Sequence, residues 1–305
     1  MTPDEFTNQE LMLDVGDGPQ LYVQDWGAKD AETPIFFLHG GPGGGCDDGH
    51  KQYFDPATQR VIFHDQRGSS KSLPYGSLEN NTTEKLIEDI SRIADELHIE
   101  KFIVTGGSWG ACLAFAYALK HPERVRGMVL RGIFTGSQSE IDWLDYGEFR
   151  NFFPDAWDAY LATVPEEHRA NPSNYHYNRV IGKDPRAAQE SGAAYLALEI
   201  SAISLDDRHR PISPADFDPS SIRIEMHYMH NRCFLPNSHI LDNAHKLTMP
   251  IHLIHGRYDM VCPPITAYKL HKKLPNSELV WVLSGHGAEH ETWTAIRSAL
   301  RQLSC

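Results

Sequence analysis

The strongest chemical signal in the sequence is a serine inside a glycine turn, Gly106-Gly107-Ser108-Trp109-Gly110. This turn lies between an apolar stretch typical of a strand, FIVT, and one typical of a helix, ACLAFAYALK. A G-x-S-x-G sequence in that context is typical of a strained turn that exposes a nucleophilic serine. The following helix N-terminus favours developing negative charge. We therefore predict a nucleophile at Ser108 rather than a serine that only closes a turn.

A nucleophilic serine needs a histidine base, and the base needs an acid that orients it. On a parallel α/β sheet these partners follow the serine along the chain, each on a loop after a late strand. Asp259 follows IHLIHGRY and His286 follows ELVWVLSG, in the required order. Their neighbours fit less well, because Asp242 precedes the strand and His290 falls within the last predicted helix. We predict Asp259 as the orienting acid and His286 as the base.

A second glycine-rich loop, HGGPGGG, begins at His39 after the apolar stretch IFFL. It lacks the Lys-Ser or Lys-Thr of a phosphate-binding loop and does not match G-x-G-x-x-G. With a serine nucleophile elsewhere, an oxyanion loop is favoured over a plain flexible turn. The expected donors are the backbone N–H groups of Gly41, with Gly40 as a second candidate, and of Trp109, each worth about 3 kcal/mol in the transition state.

A zinc-protease pattern, H-x-x-E-H, also occurs at His286, Glu289 and His290. That motif requires both histidines on one helix face and a further protein ligand. Gly287 interrupts the first turn here, and the only acid beyond His290 is its neighbour Glu291. The cysteines form no C-x-x-C pair. We expect no metal and no other cofactor.

The elements around these loops indicate a mostly parallel α/β sheet. Apolar strands without alternation are buried on both faces, and strands that alternate with helices form parallel sheets. After a hairpin over residues 9–26, the predicted strands are 35–39, 61–64, 102–105, 125–132, 251–256 and 278–283. The predicted helices are 82–99, 111–121, 265–274 and 288–303. A threonine cap and apolar residues at helical spacing support the first of these helices.

The alternation stops between residues 136 and 246, where aromatic, His, Asp and Pro residues accumulate and only short helical stretches occur. A stretch of this length is too long for a plain loop. We predict a catalytic domain made of residues 1–135 and 247–305, with a helical cap domain over 136–246. An insertion at the carboxyl ends of the strands covers the edge where α/β sheets bind ligands.

Composition excludes several classes of protein. The 305 residues include 28 Lys or Arg and 41 Asp or Glu, a net charge of −13, which disfavours nucleic acid and anionic membranes as partners. No apolar run is long enough to span a bilayer. MTPDEFTNQE does not resemble a secretory signal, and five scattered cysteines do not form a disulfide framework. We expect a cytoplasmic protein.

Five segments in order, HGGPGGGC, DQRGSSKS, GGSWG, VLRGIF and HGRYDMVCP, resemble the proline iminopeptidases, also called prolyl aminopeptidases. The resemblance extends over nearly the whole chain. It implies the α/β-hydrolase fold with a helical cap, and the same nucleophile, acid and base that the residues themselves indicate: Ser108, Asp259 and His286.

The resemblance also implies cap glutamates that hold the substrate amine. The matching segments, YLALEISAISL and IRIEMHYMHN, place them at Glu199 and Glu225. A protonated pyrrolidine nitrogen in a closed pocket requires negative charge, because its desolvation is otherwise uncompensated. After Glu225 the chain departs from the family, with His230, Arg232 and Cys233 where smaller residues are expected. The DQRG segment matches the family too, and we expect it to support the oxyanion loop.

The expected activity is the release of N-terminal proline, and of other small residues, from small peptides through a prolyl-enzyme ester. One alternative keeps the triad and changes the substrate, as in an esterase, an amidase or a carbon–carbon bond hydrolase of small acyl compounds. Epoxide and haloalkane hydrolases are disfavoured because they use Asp where this chain has Ser108. A non-catalytic binding module on a hydrolase scaffold is the remaining alternative.

Overall fold

The computed structural model describes residues 5–145, 148–203, 205 and 211–304. Eight strands form a single sheet. They are β1 Thr7–Asp14, β2 Gln20–Gly27, β3 Ile35–Leu38, β4 Arg60–His64, β5 Phe102–Ser108, β6 Val125–Ile133, β7 Ile251–Gly256 and β8 Ser277–Val282. The spatial order of the strands is β1-β2-β4-β3-β5-β6-β7-β8.

Strands β1 and β2 pair antiparallel with each other, and β2 pairs antiparallel with β4. All other neighbouring pairs are parallel, so the carboxyl ends of six strands meet at one edge of the sheet. The central strands are apolar and buried, since helices cover both faces of a parallel sheet. This architecture confirms the predicted α/β-hydrolase fold class.

Ten α-helices accompany the sheet in the described part of the chain. They are α1 Thr83–Glu96, α2 Trp109–Lys120, α3 Gln138–Asp145, α4 Pro154–Ala162, α5 Pro172–Val180, α6 Pro185–Ile200, α7 Ser220–His230, α8 His239–Asn243, α9 Pro264–Lys273 and α10 His290–Leu303. Helix α1 begins as predicted at a threonine cap, where the Thr82 side chain accepts from the backbone of Lys85. Helix α10 begins at His290, two residues later than predicted.

Between β6 and β7 the chain forms helices α3 to α8, and four of them, α4 to α7, build an apolar cluster that is separate from the core of the sheet. Helix α7 belongs to both. Its Ile222 and Met226 face the helical cluster, whereas Ile224 and Tyr228 are buried in the core of the sheet. We refer to helices α3 to α8 as the cap helices, and α7 packs against both their apolar cluster and the core of the sheet.

The four cysteines in the described residues are free thiols, and the fifth, Cys305, lies outside those residues. Three of the four, Cys112, Cys233 and Cys262, are buried. In the same part of the chain, none of the helices combines the length and the apolar character that a membrane span requires.

Candidate active site

The predicted nucleophile lies at the junction of β5 and α2. Ser108 is the last residue of the strand and has a φ angle of 58°, a conformation that is rare for a residue with a side chain. Glycine is required on both sides of it. A Cβ atom at Gly106 would lie 2.5 Å from the carbonyl oxygen of Leu38, and one at Gly110 would lie 2.1 Å from it. The strained turn therefore exists because β3 packs against glycine backbone.

Asp259 and His286 meet on the neighbouring strand ends. His286 Nδ1 lies 2.8 Å from Asp259 Oδ2. The carboxylate is fully buried, and its Oδ1 accepts from the backbone N–H groups of Val261 and Cys262 at 3.1 and 2.7 Å. Since a carboxylate accepts the bond, Nδ1 of His286 carries the proton, and Nε2 is left as the basic nitrogen.

Strand β6 brings the histidine and the serine to the same edge. Ser108 pairs in register with Ile133, the last residue of β6. One residue earlier, a Cβ atom at Gly132 would lie only 3.1 Å from Cε1 of His286. The carbonyl of His286 accepts from Arg131 Nη1 at 2.9 Å. The end of β6 therefore positions the imidazole beside the nucleophile turn.

The charge state of Asp259 follows from these contacts. Burial by itself would raise the pKa of this carboxyl, but the adjacent His286 and the N–H of Cys262 lower the pKa below its ordinary value. A second histidine, His255, lies 3.8 Å from Asp259 Oδ2. Its Nδ1 accepts from the N–H of Ile133 at 2.9 Å, and burial lowers its pKa, so this ring is neutral. Asp259 therefore carries its negative charge opposite His286.

The glycine-rich loop after β3 is held from below by the ring of His39. Its Nε2 accepts from the N–H of Gln66 at 2.9 Å, and its Nδ1 lies 2.9 Å from the carbonyl oxygen of Gly40 and 3.2 Å from the backbone nitrogen of Gly45. The N–H of Gly44 donates to the same carbonyl at 3.2 Å. Because the two ends of a trans peptide point in opposite directions, fixing this carbonyl turns the N–H of Gly41 away from it.

The loop and the nucleophile turn are joined by Gln66, which is buried after β4. Its Nε2 donates to the carbonyl of His39 at 3.0 Å, and its Oε1 accepts from the indole N–H of Trp109 at 2.8 Å. Trp109 opens helix α2, so its backbone N–H is one of those with no partner inside the helix. The DQRG segment matched the family, but no local pattern pointed to Gln66 itself.

Above the serine is a cavity between the sheet edge and helices α3, α6 and α7. Ser108 and Gly41 lie at its base. Its upper wall carries three carboxyl groups, Glu140, Glu199 and Glu225, among apolar side chains. The structure therefore brings the predicted nucleophile, one predicted oxyanion donor and both predicted amine-binding acids into one cavity.

Two of these acids act as a pair. Glu199 and Glu225 are joined by a side-chain hydrogen bond. Burial raises the pKa of Glu199 above its ordinary value, although the nearby His286 and the bond to Glu225 act to lower it. The loop of His286 is held near the end of α6, because the N–H of Gly287 donates to the carbonyl of Ile203 at 2.6 Å.

The third acid, Glu140, is held by its own segment. Its carboxyl accepts from the backbone and the hydroxyl of Thr135 and of Ser137, at distances of 2.5 to 3.2 Å. A serine followed three residues later by glutamate is a helix-capping sequence. That pattern predicts the start of α3, but it contains nothing that indicates a position in the cavity.

No group of three or more His, Cys, Asp or Glu side chains in the described ranges is arranged to hold a metal ion. His286, the first residue of the H-x-x-E-H sequence, instead bonds Asp259.

Comparison with known proteins agrees with this architecture. A family model described as the alpha/beta hydrolase fold matches residues 33–290. A proline iminopeptidase of Arabidopsis thaliana is 39% identical over 283 residues, which cover 90% of this chain and 74% of the relative. A probable proline iminopeptidase of Leptolyngbya boryana is 38% identical, covering 90% of this chain and 87% of the relative. The chain belongs to the proline iminopeptidase family.

Solved structures show how widely this fold is shared. A thermophilic esterase from Thermogutta terrifontis superimposes with a TM-score of 0.67 over 97% of this chain and 100% of the esterase, at 20% identity. At that identity the likeness concerns the fold alone. The residues that distinguish one member of the fold from another must therefore be sought in the cavity. Membership of the proline iminopeptidase family confirms the resemblance that the five sequence segments indicated.

Proposed function

We propose that the chain is a serine aminopeptidase that releases N-terminal proline from small peptides. The observation that supports it most directly is the pair of hydrogen-bonded acids, Glu199 and Glu225, in the same cavity as Ser108. An apolar cavity ended by carboxyl groups suits a small apolar residue that carries a cationic amine. The curated relatives, named for the same activity, cover most of the chain.

In the proposed reaction, His286 Nε2 removes the proton from Ser108 as the serine oxygen attacks the carbonyl of the N-terminal residue. The backbone N–H groups of Gly41 and Trp109, with Gly40 as the alternative on the loop, stabilise the oxyanion. The resulting imidazolium, oriented by Asp259, gives its proton to the departing amine. Water then hydrolyses the prolyl ester with the same base, and the serine is restored.

The cap acids would select the free amine. A protonated amine between Glu199 and Glu225 exchanges its hydration for charge-assisted hydrogen bonds. A substrate whose nitrogen is acylated carries no charge and leaves the acids without a cation. A chain that continues beyond that nitrogen would meet the wall of the cavity, so cleavage is limited to one residue.

The test compares hydrolysis of proline arylamide with that of N-acetyl-proline arylamide, by the wild type and by Glu199→Gln and Glu225→Gln. We expect cleavage of the free-amine compound only, and a fall in kcat/KM of about tenfold or more in each variant. Glu190→Gln is the matched control, since Glu190 lies on the same helix α6 but pairs with Arg179 and Arg186.

Equal cleavage of both compounds, unaffected by the cap variants, would contradict amine recognition and indicate an esterase or amidase. A serine-reactive fluorophosphonate separates these outcomes from an inactive scaffold. It should label the wild type and leave Ser108→Ala unlabelled.

A further inference from the structure

A second cavity adjoins the first. It lies between helices α3, α5 and α7, and Ile141, Tyr195 and Met229 line both cavities. The two spaces therefore share one wall. The second cavity therefore lies directly beside the space above Ser108, across these three side chains.

The charge of the second cavity is opposite to that of the first. Three carboxyl groups line the catalytic cavity. None of the described residues around the second cavity is acidic, and its one permanently charged side chain is Arg232. His230 stacks on Tyr177 with ring centroids 3.8 Å apart, and burial lowers its pKa, so this imidazole adds no charge at neutral pH. A cationic cavity therefore adjoins an anionic one.

Two polar groups at the second cavity have no partner among the described protein residues. Gln138 donates through Nε2 to Asp142 at 2.7 Å, but its Oε1 is buried and accepts no hydrogen bond in the described residues. The guanidinium of Arg232 forms no ion pair within the same residues. An unpaired acceptor and an unpaired cation suit a ligand that brings an N–H group and a carboxylate.

The backbone that carries Arg232 is strained. Arg232, Cys233 and Phe234 have φ angles of 53°, 53° and 51°, and none of them is glycine. Burial of Cys233 and a bond from Thr83 Oγ1 to its carbonyl anchor this turn. Left-handed residues in succession persist only where the surroundings require them, and such strain concentrates at functional sites. The turn holds the arginine at the end of α7.

We propose that the second cavity binds the C-terminal carboxylate of a tripeptide substrate, through Arg232, while the acids of the first cavity hold its N-terminal amine. This inference rests on the proposed function. Five residue steps of α7, about 8 Å at the rise of a helix, and two steps of the following turn separate Glu225 from Arg232, about 10 Å in all. An extended tripeptide spans about the same length.

The experiment compares Pro-Gly-Gly with Pro-Gly-Gly-amide, which differ only in the terminal charge. We expect the wild type to favour the free acid in kcat/KM by about fivefold, because an exposed arginine gives a moderate, salt-sensitive attraction. Arg232→Gln should reduce the preference to about one. Arg232→Asn tests the same loss with a residue that tolerates positive φ. Arg232→Lys should retain part of the preference.

Arg186→Gln is the matched control. Arg186 is an exposed cap arginine on α6, and its loss removes the same charge without touching the cavity. The fivefold preference should persist in this variant and shrink in 0.5 M NaCl in the wild type.

A wild type that cleaves both tripeptides equally would overturn the inference, and so would a preference that survives in both neutral variants. Hydrolysis of proline arylamide by the wild type distinguishes failure of the carboxylate site from failure of the proposed function. If that compound is cleaved and the tripeptide ratio is one, only the carboxylate site fails. If no proline compound is cleaved, the proposed function fails, and the carboxylate site fails with it.

Discussion

The sheet edge and the cap face each other across the cavity, and their polar groups are paired to different degrees. At the sheet edge, Asp259 accepts from His286 and from two backbone N–H groups, and Gln66 bonds both glycine loops. On the cap side, Glu140 is bonded by its own segment, but Glu199 and Glu225 bond each other, and Gln138 Oε1, at the adjoining second cavity, has no partner in the described chain.

This difference matches two separate tasks. Groups that stabilise a transition state must already be oriented, because reorganisation during the reaction adds to the barrier. Groups that recognise a ligand complete their hydrogen bonds when the ligand arrives. We therefore expect the sheet edge to carry out the chemistry and the cap helices to select the substrate. Variants at the sheet edge should then lower the reaction rate, whereas variants of the cap acids should weaken ligand binding.

The largest expected effect comes from removing the nucleophile. Ser108→Ala should reduce proline arylamide hydrolysis by about 10⁴-fold or more. The affinity for L-proline, measured by calorimetry, should stay within about twofold of the wild type, because the cap acids remain. A parallel loss of proline binding would show that selection and chemistry are not separated between the two regions.

A smaller effect should follow from Gln66→Met, which removes the link between the glycine loop and Trp109. We expect kcat to fall by about 10- to 100-fold with KM within twofold, since the donors affected act on the oxyanion. Gln59→Met removes another buried glutamine, one that accepts from Asp55, and serves as the control. A rise in KM with unchanged kcat would assign Gln66 to substrate binding instead.

We expect ligand binding at the cap acids to release a proton. Because burial raises the pKa of Glu199, the empty site holds a proton to higher pH than an ordinary glutamate does. A cationic amine stabilises the carboxylate, so binding expels that proton and tightens several-fold as the pH rises through the raised pKa. Calorimetry of L-proline in two buffers should detect release of up to about one proton.

In Glu199→Gln this proton release should disappear. Uptake of protons by the wild type, or release that persists in the variant, would contradict the assignment.

The smallest effect on activity is expected from Tyr228→Phe, on the helix that joins the two regions. The hydroxyl of Tyr228 donates to Asn81 Oδ1 at 2.8 Å, and its loss leaves a buried acceptor unpaired. We expect a loss of about 1 to 3 kcal/mol in the free energy of unfolding and a change in kcat/KM below about threefold. A fall in kcat/KM well beyond threefold would mean that α7 also orients the oxyanion donors.

The strands and loops of the sheet edge can be predicted from the sequence because their signals are local. A glycine turn between a strand and a helix predicts the conformation of Ser108, and loops after late strands predict where Asp259 and His286 lie. Helix α10 starts later than predicted because Glu289 adopts an extended conformation before it.

The cap gave weaker signals. Glu199 and Glu225 were identified only through the family resemblance, since a glutamate on a helix normally faces solvent. The contacts of Gln66 and His255 were not predicted at all. Gln66 meets Trp109, 43 residues away in sequence, and His255 meets the N–H of Ile133, 122 residues away. Such pairs depend on strand order, and no short pattern records them.

Helix α7 also limits how this fold can be recombined. Tyr228 packs edge-on against Trp109 with ring centroids 4.7 Å apart. At its other end, the carbonyl of Ser221 approaches Gly43 so closely that a Cβ atom there would lie 2.7 Å from it. A chimaera whose foreign insertion replaces α7 would lose these contacts with the glycine-rich loop and with Trp109. Exchange of α3 to α6 alone, with α7 retained by the host, would change the cavity and keep the contacts of α7 with Gly43 and Trp109.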